Sequence, residues 1–285
     1  MNSKRVFLVG CPRSGTTLLQ SMIASHPQVV SFPETHFFSK TLPINPILRK
    51  MKLHGPKSRK TVTRFLNNNN FENLHPFAGI SVFKLYTYRD WCQKLIDILD
   101  QMIVREAMDH DIGTPVWGLE KTPRHLHYIS SIEQVPAPSK FLHILRDGKD
   151  VVASLHLATK RYPDQWGGER SVRKCINWWN RSMRASLQYR QQPNHCFVVY
   201  GQLLEAPEII LKAICTFLEL DYDQSMLRDF HRTAGPLTQE EEKWKDQNTK
   251  RSLDKSNKLQ QHFDAPTIDY ITNHLLDIDL KPFYH

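Results

Sequence analysis

The sequence predicts an α/β domain with a P-loop-like parallel sheet flanked by helices on both faces, and three observations carry that prediction. Short apolar runs alternate with amphipathic stretches along most of the chain, as expected of parallel strands joined by crossover helices. The first run, Val6 to Val9, is followed by a turn holding Gly10, Pro12, Ser14 and Gly15, then by Leu18, Leu19, Met22 and Ile23 at helical spacing. A strand, a glycine turn and a helix in that order aim backbone N–H groups and a helix N-terminus at a bound phosphate. Cations also follow the ends of three apolar runs, at Arg13, Lys121 and Arg146, the edge where open parallel sheets hold ligands.

The remaining elements follow the same periodicities. Val29 to Phe32 reads as a second short strand, ending at Pro33-Glu34-Thr35-His36. Residues 40–80 carry scattered cations and four consecutive asparagines without clean periodicity, which predicts a mobile or loosely helical insertion. Trp91, Leu95, Ile98, Leu99, Met102 and Ile103 mark a helix over 91–108. Val116–Leu119 and Phe141–Leu145 read as strands that run into Glu120-Lys121-Thr122-Pro123 and Arg146-Asp147-Gly148. A helix is expected from about Asp150, with Asp147 as its cap. Beyond it come a helix over 170–190, a strand from Cys196 to Tyr200 and a helix from Pro207 to Leu218. A polar, lysine-rich stretch over 238–260 precedes a last helix near 266–277. No internal repeat or linker interrupts this pattern, so residues 1–285 read as one domain with the insertion at about 40–80.

Composition narrows the class. The 285 residues are 40% hydrophobic and 24% charged, near the usual values for a globular domain. A formal net charge of +9 favours anionic partners without choosing among them. No apolar run reaches the ~20 residues of a membrane span, and a first strand beginning by Val6 leaves no place for a signal peptide. Five cysteines, odd in number and without a C-x-x-C pair, read as reduced thiols. A cytoplasmic setting is the expectation.

The first loop departs from an ordinary nucleotide-binding loop. Gly10 and Gly15 have the Walker A separation, yet Thr16 stands at the lysine position. That lysine serves the β/γ-phosphates of a triphosphate. Its absence argues against a P-loop kinase or a related nucleotide-binding protein, which is the alternative reading. Arg13 remains as a fixed, permanently charged fork for a phosphate or sulfate oxygen. A nucleic-acid module would account for the charge, but no interleaved aromatic platform is present.

These residues resemble the sulfotransferases that use 3′-phosphoadenosine-5′-phosphosulfate (PAPS), and the similarity covers most of the chain. Pro12-Arg13-Ser14-Gly15-Thr16-Thr17 is similar to that family's loop for the 5′-phosphosulfate. Leu145-Arg146-Asp147-Gly148 through Ser154 resembles its 3′-phosphate motif, an arginine with a serine eight residues later. Finer matches favour the bacterial and tyrosylprotein sulfotransferase branch. Glu34, 21 residues after Arg13, falls where those enzymes place a catalytic glutamate. Lys121 matches a lysine near the bridging oxygen, and Tyr200 a tyrosine that helps hold the nucleotide. Lys245 and Lys258 lie where the family closes a loop over the cofactor, although Leu259 departs from the family's pattern there. A further phosphate-binding arginine of the tyrosylprotein enzymes would fall at Ala158 and is missing.

The resemblance implies in-line transfer of a sulfuryl group from PAPS to an acceptor hydroxyl or amine, releasing adenosine 3′,5′-bisphosphate (PAP). Arg13, Ser14, Gly15, Thr16 and Thr17 would hold the 5′ end, with Arg146, Ser154, Tyr200, Lys245 and Lys258 on the rest of the nucleotide. Arg13 and Lys121 would stabilise charge, and Glu34 would act as general base with His36 and His125 as competitors. No metal is required. Trp166-Gly167-Gly168 and Trp178-Trp179 read either as packing or as a wall of the acceptor pocket, and the acceptor class stays open.

Overall fold

Apolar runs bounded by turns become strands covered on both faces. The computed structural model describes residues 3–136, 138–235, 237 and 258–283. Its sheet holds β1 (Ser3–Gly10), β2 (Val29–Ser31), β3 (Val116–Lys121), β4 (Ser139–Leu145) and β5 (His195–Val199). The order is β2-β3-β1-β4-β5, and every neighbouring pair is parallel. Parallel strands need crossovers, and the helices supply them. In chain order these are α1 (Thr16–Ala24), α2 (Phe37–Thr41), α3 (Pro46–Met51), α4 (Pro56–Asn68) and α5 (Tyr88–Asp109). There follow α6 (Ile129–Ile132), α7 (Gly148–Arg161), α8 (Pro163–Trp166), α9 (Val172–Leu187) and α10 (Tyr200–Glu205). The rest are α11 (Pro207–Leu218), α12 (Ser225–Arg228), α13 (Phe230–Thr233), α14 (Lys258–His262) and α15 (Ala265–His274).

Alternate residues of β1 feed opposite faces. Phe7 and Val9 join Trp91, Leu95 and Ile103 of α5 in one core. Val6 and Leu8 join Leu19, Met22 and Ile23 of α1 and Leu211 and Ile214 of α11 in another. A third cluster sets α7, α9, α14 and α15 against Phe197 and Val199 of β5. In the register, Leu8 lies opposite Lys121 and Gly10 opposite Ile144. The ends of β1, β3 and β4 therefore share one edge, and Arg13, Lys121 and Arg146 meet there.

One expectation changes and another, the mobile or loosely helical stretch over 40–80, is narrowed to its helical alternative. Tyr200 does not end a strand; it opens α10, where its ring can pack back over the glycine turn. The stretch over 40–80 contains α3 and α4, both with proline in the first turn. Asn45 caps α3 through Ile47 N at 2.9 Å. The anchors of this region are partly polar. Buried Arg49 donates to the carbonyls of Pro43 (2.7 Å), Ile44 (2.9 Å) and His127 (2.7 Å) and to Ser131 Oγ (3.1 Å). Arg59 donates to the carbonyls of Ser81, at 2.8 Å, and Val82. Arginine at core positions hides the apolar spacing of a packed region.

Candidate active site

The loop between β1 and α1 depends on its two glycines. A Cβ on Gly10 would lie 2.8 Å from the Ile144 carbonyl oxygen, and one on Gly15 would lie 2.3 Å from the Tyr200 ring. Gly15 also has φ 96°, and Arg13 has φ 74°, a left-handed conformation that costs a non-glycine residue about 1–2 kcal/mol. The turn is closed by Ser14 N donating to the Cys11 carbonyl at 3.2 Å. Ser14, Thr16 and Thr17 are buried. The first amides of α1 have no acceptor within the helix, and Gly15 offers no side-chain cap. Those amides and the helix dipole form an anion-binding end. Cys11 is no nucleophile, since burial pushes its thiol up to about 12.

A second group of cations meets this loop. Arg13 Nε donates to Ser154 Oγ of α7 at 3.3 Å. Arg146 follows β4; its guanidinium lies 4.3 Å from the centre of the Tyr200 ring. One Arg146 nitrogen reaches Asp150 Oδ2 at 3.1 Å and another the Arg13 carbonyl at 3.5 Å. Trp179 Nε1 fixes the Arg146 backbone through its carbonyl at 3.1 Å. Asp147 caps α7 through Lys149 N and Asp150 N. At the start of α14, burial and then Arg13 and Arg146 hold the Lys258 ammonium below its ordinary pKa. Among the described residues, the buried Nε of Arg146 has no hydrogen-bond partner. An ammonium destabilised by two neighbouring guanidinium groups, a buried Arg146 donor without a partner among the described residues, and a helix N-terminus fit a ligand with more than one phosphate. Ala158 lies buried in α7, with no cation at its position. Lys245 lies outside the described residues.

At the end of β3 the charges are paired. Lys121 is fully buried, and its Nζ donates to Glu34 Oε1 at 2.7 Å. His36 Nε2 stands 3.5 Å from Glu34 Oε2. Burial, against the pull of Glu34, pushes His36 down to about 4, so it is neutral near pH 7. Beneath this pair lies Glu120, whose Oε1 accepts from Thr35 Oγ1 (2.8 Å) and Thr122 Oγ1 (2.6 Å). Burial pushes the Glu120 carboxyl up, but His125 and the hydrogen bonds from His125, Thr122 and Thr35 outweigh it and hold it below its usual range. Thr122 Oγ1 also accepts from His36 N at 3.2 Å. The turn carrying Glu34 is thus bolted to β3. Of the competing bases, His125 is fully buried with Nδ1 on Glu120 at 2.9 Å, whereas His36 shares the Glu34 surface.

The buried Glu120 cluster and the Arg146–Asp150 pair escaped sequence reasoning, although the i,i+4 spacing of the latter was a usable signal. So did a basic cleft of about 330 Å³ lined by Arg124, Arg170, Lys174, Trp178 and Arg181. Arg170 and Arg124 lie 4.7 and 5.4 Å from the Trp178 ring. Burial and then the charges of Arg181, Arg124 and Arg49 push neighbouring His127 down to about 4. Trp178 therefore lines a cleft, while Trp179 packs in the core. The signal was the spacing of Lys174, Trp178 and Arg181 along one face of α9, with Arg170 just ahead of its start.

A family model described as the sulfotransferase family matches residues 5–224. The chain belongs to that family, the PAPS-dependent sulfotransferases. A candidate protein-tyrosine sulfotransferase of Caenorhabditis briggsae is 24% identical over 98% of this chain and 86% of its own length. The protein-tyrosine sulfotransferase of Drosophila melanogaster is 26% identical over 78% of this chain. The chain spans only 39% of that fly protein and 53% of the protein-tyrosine sulfotransferase 2 of Gallus gallus. A mouse sulfotransferase crystallised with PAP aligns with a TM-score of 0.52 at 13% identity, over 95% of this chain and 82% of the other. That last likeness is one of fold.

Proposed function

We propose that the carboxyl edge of the sheet transfers a sulfuryl group from PAPS to a hydroxyl with Glu34 as base. The observation that carries this reading is the meeting of the buried Lys121–Glu34 pair with the Arg13–Arg146–Lys258 cluster at one edge. Arg13 and the first amides of α1 hold the 5′-phosphosulfate, while Arg146, Ser154 and Lys258 hold the 3′-phosphate. Tyr200 supports the Arg146 guanidinium from below. As in phosphoryl transfer, the protein contributes position and charge stabilisation.

The acceptor proton passes to Glu34 Oε as the acceptor oxygen bonds to sulfur. The bond between sulfur and the bridging oxygen breaks, and its electron pair stays on the 5′-phosphate of the departing PAP. Lys121 stabilises that oxygen. Because Lys121 holds Glu34 before reaction, neutralising Glu34 frees the ammonium for the leaving group at the moment it is needed.

The acceptor in this reading is a hydroxyl on a molecule with negative charge. The basic cleft begins at Arg124, three residues beyond Lys121, and the relatives named above are protein-tyrosine sulfotransferases. Both favour a tyrosine flanked by acidic residues. A reducing, cytoplasmic setting accords with five free, buried thiols. Isothermal titration tests the donor site: PAP should bind with micromolar or better affinity without magnesium. Tighter binding of ATP with magnesium would overturn the reading. Labelled donor with acidic and neutral tyrosine peptides tests the acceptor, and preferential labelling of small neutral alcohols would remove the tyrosine assignment.

A further inference from the structure

Away from the crevice, charge and apolar exposure concentrate in one region. Of the eleven exposed large hydrophobic side chains among the described residues, eight lie between residues 44 and 85, and one of these, Ile44, lines the basic cleft. They include Ile47 (69% exposed), Met51 (75%), Val82 (65%) and Phe83 (85%). Between Glu34 and Asp90 the chain has ten Lys and Arg but one acid, Glu72, against totals of 38 and 29. The rest of the protein therefore holds 28 of each sign, and the whole net charge of +9 belongs to this segment.

The display is built. His54 and Tyr86 exchange backbone hydrogen bonds of 2.9 and 2.8 Å, joining the end of the α3 segment to the Val82–Leu85 loop. The Leu85 side chain closes over Gly55, where a Cβ would meet it at 2.6 Å. Arg49 of α3 and Arg59 of α4 fix these segments from within through the carbonyls described above. Around the apolar tips, Lys50, Lys52, Lys57 and Lys84 are exposed.

We propose that this face docks on an anionic lipid surface. Side chains that protrude singly, with lysines between them, suit insertion among acyl chains beneath a layer of phosphates. A folded acidic partner would instead call for a recess and directed ion pairs, as in the cleft at Arg124. The contact proposed is a peripheral one; no helix among the described residues is long and apolar enough to cross a membrane. It is independent of the chemistry assigned to the crevice.

Co-sedimentation with vesicles tests the idea. The protein should bind vesicles containing phosphatidylglycerol about tenfold or more tightly than phosphatidylcholine alone, and salt should weaken the binding. A Phe83→Ser, Met51→Ser double variant and a Lys50→Glu, Lys84→Glu double variant should each lose about tenfold. Ile209→Ser, exposed elsewhere, should lose nothing. Unchanged PAP titration and melting temperature keep a folding defect and a failure of the nucleotide site distinguishable. Wild-type protein that ignores anionic vesicles, or variants that bind as well as wild type, would overturn the proposal. Self-association that the Phe83 and Met51 changes abolish, without vesicle binding, would assign the face to a second copy instead.

Discussion

Around Arg146 the crevice gathers cations, whereas around Lys121 it cancels them. Arg13 and Arg146 stand close enough to Lys258 to lower its pKa, while Lys121 lies 2.7 Å from Glu34. In the proposed function the first arrangement, where Asp150 offsets part of the Arg146 charge, takes up an anion and serves for binding. The second is paired before anything binds, and the proposed function makes it the end where a proton moves. If that division is right, substitutions at the two ends should separate turnover from affinity.

The largest effect belongs to the paired end. Glu34→Gln should lower kcat by ~10²–10⁴-fold, the usual contribution of a general base, with PAP affinity nearly unchanged. A buried ammonium that loses its carboxylate also costs stability, about 3–5 kcal/mol when a buried pair is broken outright. Glutamine retains an acceptor oxygen for Lys121, so the melting temperature should fall by less than for Glu34→Ala. Turnover that survives in a folded Glu34→Gln protein would pass the role of base to His36.

At the other end, Arg146→Ala should weaken PAP binding by about 10–10²-fold, as expected for one or two charge-assisted hydrogen bonds. Arg146→Lys should recover only part of this, because an ammonium neither forks to a phosphate nor lies flat on Tyr200. A calorimetric titration that shows equal affinity for wild type and Arg146→Ala would end the division drawn above.

The two ends also differed in how far the sequence disclosed them. The binding end was legible because its parts are local: a glycine turn after an apolar run, and an arginine with a serine two helical turns on. Strands such as Val6–Val9 and Phe141–Leu145 were legible because burial on both faces leaves no polar alternation. The reacting end was only half legible. Glu34 and Lys121 are 87 residues apart, and nothing in spacing states that β2 and β3 are neighbours that bring them within 2.7 Å. Glu120 was hidden in part for the same reason: Thr35 lies 85 residues away, although Thr122 and His125 are only two and five residues on. The helices of the insertion were hidden differently: Arg49 and Arg59 occupy buried positions where an apolar residue would have marked the period. Asn45-Pro46 and Gly55-Pro56 were the remaining signals.

Gly15→Ala probes the scaffold shared by both ends. The new methyl would meet the Tyr200 ring at 2.3 Å on a backbone at φ 96°. A destabilisation of about 1–3 kcal/mol is expected, together with weaker PAP binding as the ring is displaced from Arg146. Adding Tyr200→Ala should remove the collision but not the backbone strain. Thermal melts of Gly15→Ala, Tyr200→Ala and the double variant then divide the two costs, and a Gly15→Ala protein as stable as wild type would show that the ring does not hold the turn.

The smallest effect is a proton. Burial, Arg13 and Arg146 lower the Lys258 pKa, so in the free protein this side chain discharges at a lower pH than an ordinary lysine. A bound phosphate favours the charged form and raises that pKa again. Binding in the alkaline range is therefore coupled to proton uptake, and affinity should fall as pH rises through the depressed value. The second pKa of a phosphate monoester is about 6, so PAP is fully charged from pH 7.5 upward and its own titration does not intrude. Over pH 7.5–10 the loss should be a few-fold for wild type, and calorimetry in buffers of different ionisation enthalpy should register the proton taken up. Lys258→Met should bind PAP more weakly at pH 7.5 and follow a flatter alkaline limb. Parallel limbs for the two proteins would mean that Lys258 does not face the nucleotide, and the gathering of charge would then rest on Arg13 and Arg146 alone.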